Sequence, residues 1–374
     1  VTRFPSNLVR EDLRDFAGYS SARTSATVPA RIWLNANESA DPSLVDPEGR
    51  VRRYPEPQPP ELVAALARHY AVDPARVVVG RGSDEAIELL VRAACPPGGS
   101  QGVVVSSPTF GMYAVSARLH GVPVHDVAQQ DLGDTWRVDT VRLAEVAERD
   151  DARVVFVTSP GNPTGSRVDR DDIAALAERL AARSLVVVDE AYQEYSGVPS
   201  TADLLGSLPN LVVLRTLSKA QGLAGARVGV ALAHPDLAAV LRRVQAPYPV
   251  PEPVARLALA ALSDEAVAAT RDRVARTLAG RDRLRAVLDA SPLVRRTYRT
   301  AANFVLARCT DPDALLGRLA ETGIQVRDLR HHPQLGDAVR VTVGTPEEID
   351  AVAAALGTPS TTSPSPTLST PRTA

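Results

Sequence analysis

The sequence predicts an α/β protein: a large domain built on a mostly parallel sheet covered by helices, followed by a smaller C-terminal α/β domain. Two observations carry this expectation. Short apolar runs without polar alternation (Arg153–Thr158, Leu185–Val188, Leu211–Leu214) are separated by amphipathic helical stretches, and non-alternating strands belong to sheets buried on both faces. A change of texture near Leu293, after an Ala, Leu and Arg-rich helical region over 235–290, marks the second domain in a chain of 374 residues, a length that suits two cores.

In order along the chain, Leu8–Phe16 reads as a short helix, followed by a polar connection from Gly18 to Arg23, and Ile32–Leu34 as a brief strand. The prolines of 52–60 force an extended, rigid arm that holds Tyr54 in place. From Glu61 to Leu232 helix and strand alternate: helix 61–70, strand Val77–Val79, helix 84–94, strands Gly102–Val105, Val122–Val127 and Arg153–Thr158, a helix with Asp169 as its cap, and strand Leu185–Val188. Tyr248–Pro253 interrupts the helical region, and beyond it strands are expected at Tyr298–Arg308, Ile324–Arg327 and Ala338–Val343 around helix 311–322. The division expected is an N-terminal arm over 1–45, a large domain over 46–270, a small domain over 271–356, and a disordered Ser/Thr/Pro tail over 357–374.

Composition excludes several classes. The formal net charge is −2, so no basic field calls for nucleic acid or an anionic membrane. No run approaches the roughly 18 apolar residues of a spanning helix, and the first residues lack a secretory h-region. Val1 is read as a GTG start or a trimmed terminus. Cys95 and Cys309 are expected as buried thiols in a reducing cytoplasm, and no metal site is expected.

The chemistry concentrates at strand ends. Lys219 is the only lysine, although Lys and Arg together number 42. An amine retained where Arg serves every other cationic need points to chemistry Arg cannot do, because a Lys amine can lose its proton and condense with an aldehyde. Ser218 lies beside it and Arg227 follows in the same loop. The run Gly80-Arg81-Gly82-Ser83-Asp84-Glu85 joins a strand to a helix start, where backbone N–H groups, a hydroxyl and the helix dipole favour an anion. Ser218 and Arg227 would complete a phosphate cup. Asp189 ends an apolar strand and needs a cation or a donor, and a pyridinium nitrogen is such a partner. Asn162 and Tyr192 suit a phenolate oxygen, and Phe110 a ring face.

Amine, phosphate cup, pyridinium partner, phenolate donors and stacking ring are the parts of a pyridoxal phosphate site. Here the sequence resembles the fold-type I aminotransferases, specifically the histidinol-phosphate aminotransferase family, over roughly residues 8–356. S-P-G-N-P-T-G (159–165), D-E-A-Y (189–192) and R-T-L-S-K-A (215–220) carry the superfamily likeness. L-N-A-N-E (34–38), R-Y-P-E-P-Q-P (53–59), P-T-F-G-M-Y (108–113), Q-A-P-Y-P-V (245–250) and V-R-V-T-V-G-T (339–345) also match, with R-Y-P-E and A-P-Y-P pointing to this branch.

The resemblance implies pyridoxal 5'-phosphate bound by Gly82, Ser83, Asp84, Phe110, Asn162, Asp189, Tyr192, Thr216, Ser218, Lys219 and Arg227. Lys219, Asp189 and Tyr192 would be catalytic. It further implies a homodimer in which Tyr54 reaches the partner subunit's cofactor phosphate, and substrate contacts from Tyr19, Asn37, Arg327 and Arg340. Arg340 would take the α-carboxylate of glutamate or 2-oxoglutarate, and Arg327 the phosphate of histidinol phosphate. Gln221 departs from the family pattern, where an apolar residue is usual, and implies a looser loop. An aromatic amino-acid aminotransferase or a threonine-phosphate decarboxylase of the same fold are the alternatives. A cofactor-sensing regulator would need a basic DNA-binding domain, and an inactive homologue would not keep Lys219, Asp189 and Asn162.

Overall fold

The computed structural model describes residues 3–20 and 31–358; the expected connection beyond Ser20 and the tail from 359 lie outside the described residues. The chain divides into two compact units, one comprising Val1–Ala275 with Arg299–Ala302, the other Arg276–Tyr298 with Asn303–Ala374.

In the first unit a short helix α1 (Glu11–Arg14) precedes α2 (Pro60–His69), β1 (Val77–Gly80), α3 (Ser83–Ala94), β2 (Val103–Val105), α4 (Met112–Leu119) and β3 (Val124–Asp126). A small hairpin, β4 (Gln130–Asp131) and β5 (Trp136–Arg137), leads to α5 (Thr140–Arg149), β6 (Val154–Thr158), α6 (Arg170–Arg179), β7 (Leu185–Asp189), β8 (Leu211–Thr216) and β9 (Gly229–Leu232). Helices α7 (Pro235–Val244) and α8 (Glu252–Ala261) follow, and then α9 (Asp264–Asp289), of which only the part up to Ala275 belongs to this unit. The seven-stranded sheet runs β1-β9-β8-β7-β6-β2-β3. Strands β8 to β3 are parallel, and β9 lies antiparallel to both β8 and β1.

Both faces of this sheet are covered. Val186 and Val188 of β7 pack into one apolar cluster with Leu62, Leu66, Ile173 and Leu176. Leu185 and Val187 of the same strand pack into the other, with Ile87, Leu90, Leu237 and Leu241. Burying each such side chain contributes about 1.5–3 kcal/mol, and the central strands β6 and β7 are apolar up to their last residues, Thr158 and Asp189, where polarity begins.

The second unit holds a four-stranded antiparallel sheet, β10 (Val294–Thr297), β11 (Phe304–Cys309), β12 (Arg327–Asp328) and β13 (Ala338–Thr342), in the order β10-β11-β13-β12. Leu284 and Leu288 of α9, with α10 (Pro312–Glu321) and α11 (Pro346–Leu356), cover its core around Val305, Val339 and Val341. Thr345 and Glu348 form a capping box that starts α11.

Several expectations are corrected. Residues 8–16 hold only the single turn of α1, because Arg10 is extended (φ −49°, ψ 138°) and its N–H is taken by the carbonyl of Ala93. Ile32–Leu34 is not a strand: it belongs to none of the sheets among the described residues. Asp169 occupies the cap of α6 without a side-chain capping bond. The run 298–308 is strand only from Phe304, where β11 starts; β10 ends at Thr297, before the run, and 298–303 connect the two. The stretch 324–327 pairs only from Arg327. Cys95 and Cys309 are both buried free thiols, as expected, and burial pushes them up to about 12 and about 11.

Candidate active site

Strands β6, β7 and β8 end side by side at Thr158, Asp189 and Thr216, with Thr158 in register with Asp189. The carboxyl ends of parallel strands are where ligands bind in such sheets. Asp189 is 3% exposed. Its Oδ2 accepts the hydroxyl of Tyr113 at 2.7 Å and its Oδ1 the N–H of Ala191 at 3.1 Å. Burial raises its carboxyl above the usual range, and these two donors oppose the rise. Tyr113 was missed in the sequence reading except as a letter of a motif. Its ring stacks on Phe156 at 4.5 Å and meets Phe110 edge-on at 5.7 Å, so one phenol links the buried carboxylate to the candidate stacking ring. Its hydroxyl also pairs with that of Thr158 at 2.9 Å.

The turn from β1 to α3 forms the anion cup. Gly82 caps α3 at φ 85°, ψ 170°, a conformation glycine adopts freely. A Cβ there would also lie 2.6 Å from Nη2 of Arg227. Arg227 brings its guanidinium from the far loop, donating to Asp84 Oδ2 at 2.9 Å and approaching Ser218 Oγ at 3.5 Å. Thr216 Oγ1 holds Ser218 twice, donating to its hydroxyl at 2.9 Å and accepting its N–H at 3.1 Å. Gly82, Ser83, Asp84, Thr216, Ser218 and Arg227 are therefore one cluster. The Asp84 carboxylate serves Arg227, which leaves its N–H as the group that could meet an anion.

Lys219 is exposed, with Nζ 5.6 Å from the centre of the buried Tyr192 ring. Its loop is tied down: Leu217 N–H bonds Val228 O, Leu223 N–H bonds Leu217 O, and Arg273 donates to Ala220 O at 3.1 Å. The looseness expected from Gln221 is absent, since Gln221 folds inward and is buried. Asn162 follows β6 in a tight turn closed by Gly165 N–H to Gly161 O.

A buried ion network, which sequence reasoning did not find, ties together the segments that follow β7 and end β8. Arg215 donates to Glu190 at 3.3 Å and Glu194 at 2.7 Å and lies over the ring of Tyr70. Glu190 also accepts from Thr201 N–H and Oγ1. Removing one partner would strand a buried charge at a cost of about 3–5 kcal/mol. No sequence signal reveals it, because Arg215 and Glu190 read as strand-end charges.

Tyr54 and Asn37 line a hollow of about 340 Å3 with Arg53 and Pro251–Pro253. Tyr54 is half exposed and stacks on Tyr248 at 4.8 Å, while Glu38, accepting from the Tyr54 N–H at 2.8 Å and from Arg53, anchors the arm. Tyr19 is 67% exposed. In the second unit Arg327 and Arg340 are cross-strand partners that line a cleft of about 750 Å3, and the Arg340 guanidinium lies 5.1 Å from the centre of the Phe304 ring.

Comparison with known proteins agrees with this geometry. A family model described as aminotransferase class I and II matches residues 20–356. The histidinol-phosphate aminotransferase of Stenotrophomonas maltophilia (strain R551-3) is 53% identical over 349 residues, 93% of this chain and 95% of that one. That of Xanthomonas euvesicatoria pv. vesicatoria (strain 85-10) is 49% identical over 94% of this chain and 96% of its own. Among solved structures, histidinol-phosphate aminotransferase from Sinorhizobium meliloti in complex with pyridoxal-5'-phosphate superposes with a TM-score of 0.74 at 28% identity, covering 86% of this chain and 88% of that one. The chain thus belongs to the class I and II aminotransferases and, within them, to the histidinol-phosphate aminotransferases.

Proposed function

We propose that this protein moves the amino group of L-histidinol phosphate to 2-oxoglutarate, giving imidazole acetol phosphate and L-glutamate in histidine biosynthesis, with pyridoxal 5'-phosphate as cofactor. The observation that carries the chemistry is the placement of the only lysine and a buried carboxylate on the loops that end β8 and β7, beside an anion cup. The donor is inferred from relatives about half identical over nearly the whole chain.

The residues fit the cofactor. Asp189 is buried among neutral donors, and no cation pairs with it among the described residues; a ring N–H+ is the charge such a carboxylate lacks. The cup offers Ser83 and Asp84 N–H groups at a helix N-terminus, the Ser218 hydroxyl and the Arg227 guanidinium to a phosphate. When bound, pyridoxal phosphate supplies an aldehyde that takes up an amine and a ring that accepts the electron pair left at the donor's Cα. Asp189 would keep the proton on the ring nitrogen, with its carboxylate oriented by the Tyr113 hydroxyl. Asn162 and Tyr192 would hold the ring's phenolate oxygen, and Phe110 would cover its face. Lys219 Nζ would be the amine that holds the cofactor's aldehyde at rest and, once freed, the base that takes the proton from the donor's Cα.

The working enzyme is read as a homodimer in which Tyr54 completes the partner's phosphate cup. Support comes from the apolar exposure of the N-terminal segment, where Leu34 is 87%, Leu44 100% and Val45 93% exposed, an apolar patch of the kind that marks an interface. Mixing Tyr54→Phe subunits with Lys219→Ala subunits is expected to restore part of the activity, because one hybrid site holds both native groups. No recovery in mixed dimers, with exchange verified by mass spectrometry, would show that each site is built from one chain.

For substrate anions we propose Arg340 as the anchor of the carboxylate and, with Arg327, of the phosphate; the two residues are backbone register partners on neighbouring strands, and Arg grips both anions through the same fork. Arg340→Ala is expected to lower kcat/KM by about 30- to 1000-fold in both half-reactions, the loss of roughly 2–4 kcal/mol of charge-assisted binding. Steady-state rates with histidinol phosphate and phenylalanine test the donor. Phenylalanine as the better donor, or an unimpaired Arg340→Ala, overturns the assignment.

A further inference from the structure

Three polar side chains from distant parts of the chain meet behind the anion cup, and none of them belongs to the site described above. Strand β1 is an edge of the seven-stranded sheet, so the outward N–H and C=O of Val79 have no neighbouring strand. The Gln58 amide takes its place: Oε1 accepts Val79 N–H at 2.8 Å and Nε2 donates to Val79 O at 2.8 Å. Gln245 joins the same carbonyl through Nε2 at 3.0 Å, and its Oε1 accepts from Gln58 Nε2 at 2.8 Å. The Gln245 amide reaches Glu85 Oε2 at 3.1 Å, and this oxygen also accepts the N–H of Arg81 at 2.7 Å. Glu85 and Gln245 are 7% and 8% exposed, and a Cβ at Gly80 would lie 2.5 Å from Glu85 Oε2 and 3.2 Å from Gln245 Nε2. The backbone is glycine at the position where the carboxylate passes.

The connection to the cup is direct. Glu85 is the third residue of α3 and folds back over the turn to hold the N–H of Arg81, a relative of the capping box shifted one residue outward. With that donor occupied and Gly82 N–H bonded to Gly80 O at 2.9 Å, the N–H groups left for a ligand begin with those of Ser83 and Asp84 in the first turn of α3. Gln58 belongs to the same rigid segment as Tyr54, and Gln245 precedes the Tyr248 on which Tyr54 stacks. The node therefore fixes the turn from one side and the arm from the other.

We infer that Gln58, Gln245 and Glu85 are positioning residues for the cofactor phosphate, holding the 80–85 turn so that its free N–H groups converge on the anion. This rests on the seating of the phosphate at that turn proposed above. Side chains that orient ligand-binding groups without touching the ligand typically matter by an order of magnitude or two.

The test compares pyridoxal phosphate with pyridoxal, which lacks the phosphate, in absorbance titrations of the full chain freed of cofactor. Wild type is expected to prefer the phosphorylated form strongly. Gln245→Leu and Gln58→Leu are expected to bind pyridoxal phosphate about 10- to 100-fold more weakly, with pyridoxal affinity held within about 3-fold. Glu85→Gln, which keeps the shape and an acceptor for Arg81 N–H, is expected to lose less than either. Gln58 is only half-buried, so its variant keeps the test alive if Gln245→Leu does not fold. Equal losses for both ligands would make the node merely structural and overturn the inference, as would unchanged affinities. A wild type without preference for the phosphate would instead show that the cup is misassigned, and the inference would fall with it.

Discussion

Replacing Lys219 with alanine is expected to lower kcat by roughly 10^4-fold or more, the combined loss of a covalent attachment point and of the group that moves the proton. Lys219→Arg is expected to be equally inactive, because a guanidinium does not deprotonate in a protein. The loop around the lysine is held by Leu217, Leu223 and Ala220 backbone bonds, and Lys219 itself is exposed, so neither change should unfold the protein. Thermal melting within about 2–4 °C of wild type, corresponding to no more than about 1 kcal/mol, would verify this. Borohydride reduction of the cofactor-bound wild type, followed by peptide mapping, should mark Lys219. As it is the only lysine, the competing labels are the chain's α-amino group or none, and either outcome with cofactor bound would remove Lys219 from the chemistry. Substantial turnover in Lys219→Ala would do the same.

The sheet and most of the candidate site's residues were legible because both are written locally. A valine-rich run buried on two faces has few polar letters, and where polarity returns the strand has reached its functional end, as at Thr158, Asp189 and Thr216. Strand direction was not legible in this way. β9 is as apolar as β8 yet runs against it, and a run buried on both faces carries no alternation that reports its direction. Ile32–Leu34 has strand-like residues and no strand, since propensity cannot supply a pairing partner. Tyr113 was invisible as a functional group: an aromatic residue early in a helix reads as core, and its hydroxyl meets Asp189 across 76 positions of sequence. Gln58, Gln245 and Glu85 are separated by as many as 187 positions. Glutamine in a proline-rich arm or at a helix end has no period to betray it, so only the folded chain brings the three together.

Asp189→Asn separates the cost of the site from its use. Asparagine keeps the shape: its Oδ1 can accept the Ala191 N–H, and its amide N–H, in the place of Oδ2, can donate to the Tyr113 hydroxyl, whose own proton then turns to Thr158, but it carries no charge to hold a proton on a ring nitrogen. Turnover is therefore expected to fall by roughly 10^3-fold, the scale of losing one preorganised electrostatic contact. Stability without cofactor is expected to move the other way. Burial raises the Asp189 carboxyl above its ordinary value, so folding favours the protonated form. Such a group contributes stability that is fully present below the ordinary carboxylate range, near pH 4, and is lost as pH rises through the raised value. At pH 7 the cofactor-free wild type thus carries an ionised carboxylate in a buried place, whereas the asparagine variant is neutral at every pH. The variant should melt higher than wild type at pH 7 without cofactor, with the difference shrinking as the pH is lowered towards 4. Saturating pyridoxal phosphate should reverse the order, because the cofactor stabilises the form that binds it more tightly. Calorimetry of both proteins across this pH range, with and without cofactor, decides the matter. A variant that melts lower at pH 7 without cofactor would show that Asp189 is held by something other than neutral donors, and one that keeps wild-type turnover would take the carboxylate out of the mechanism.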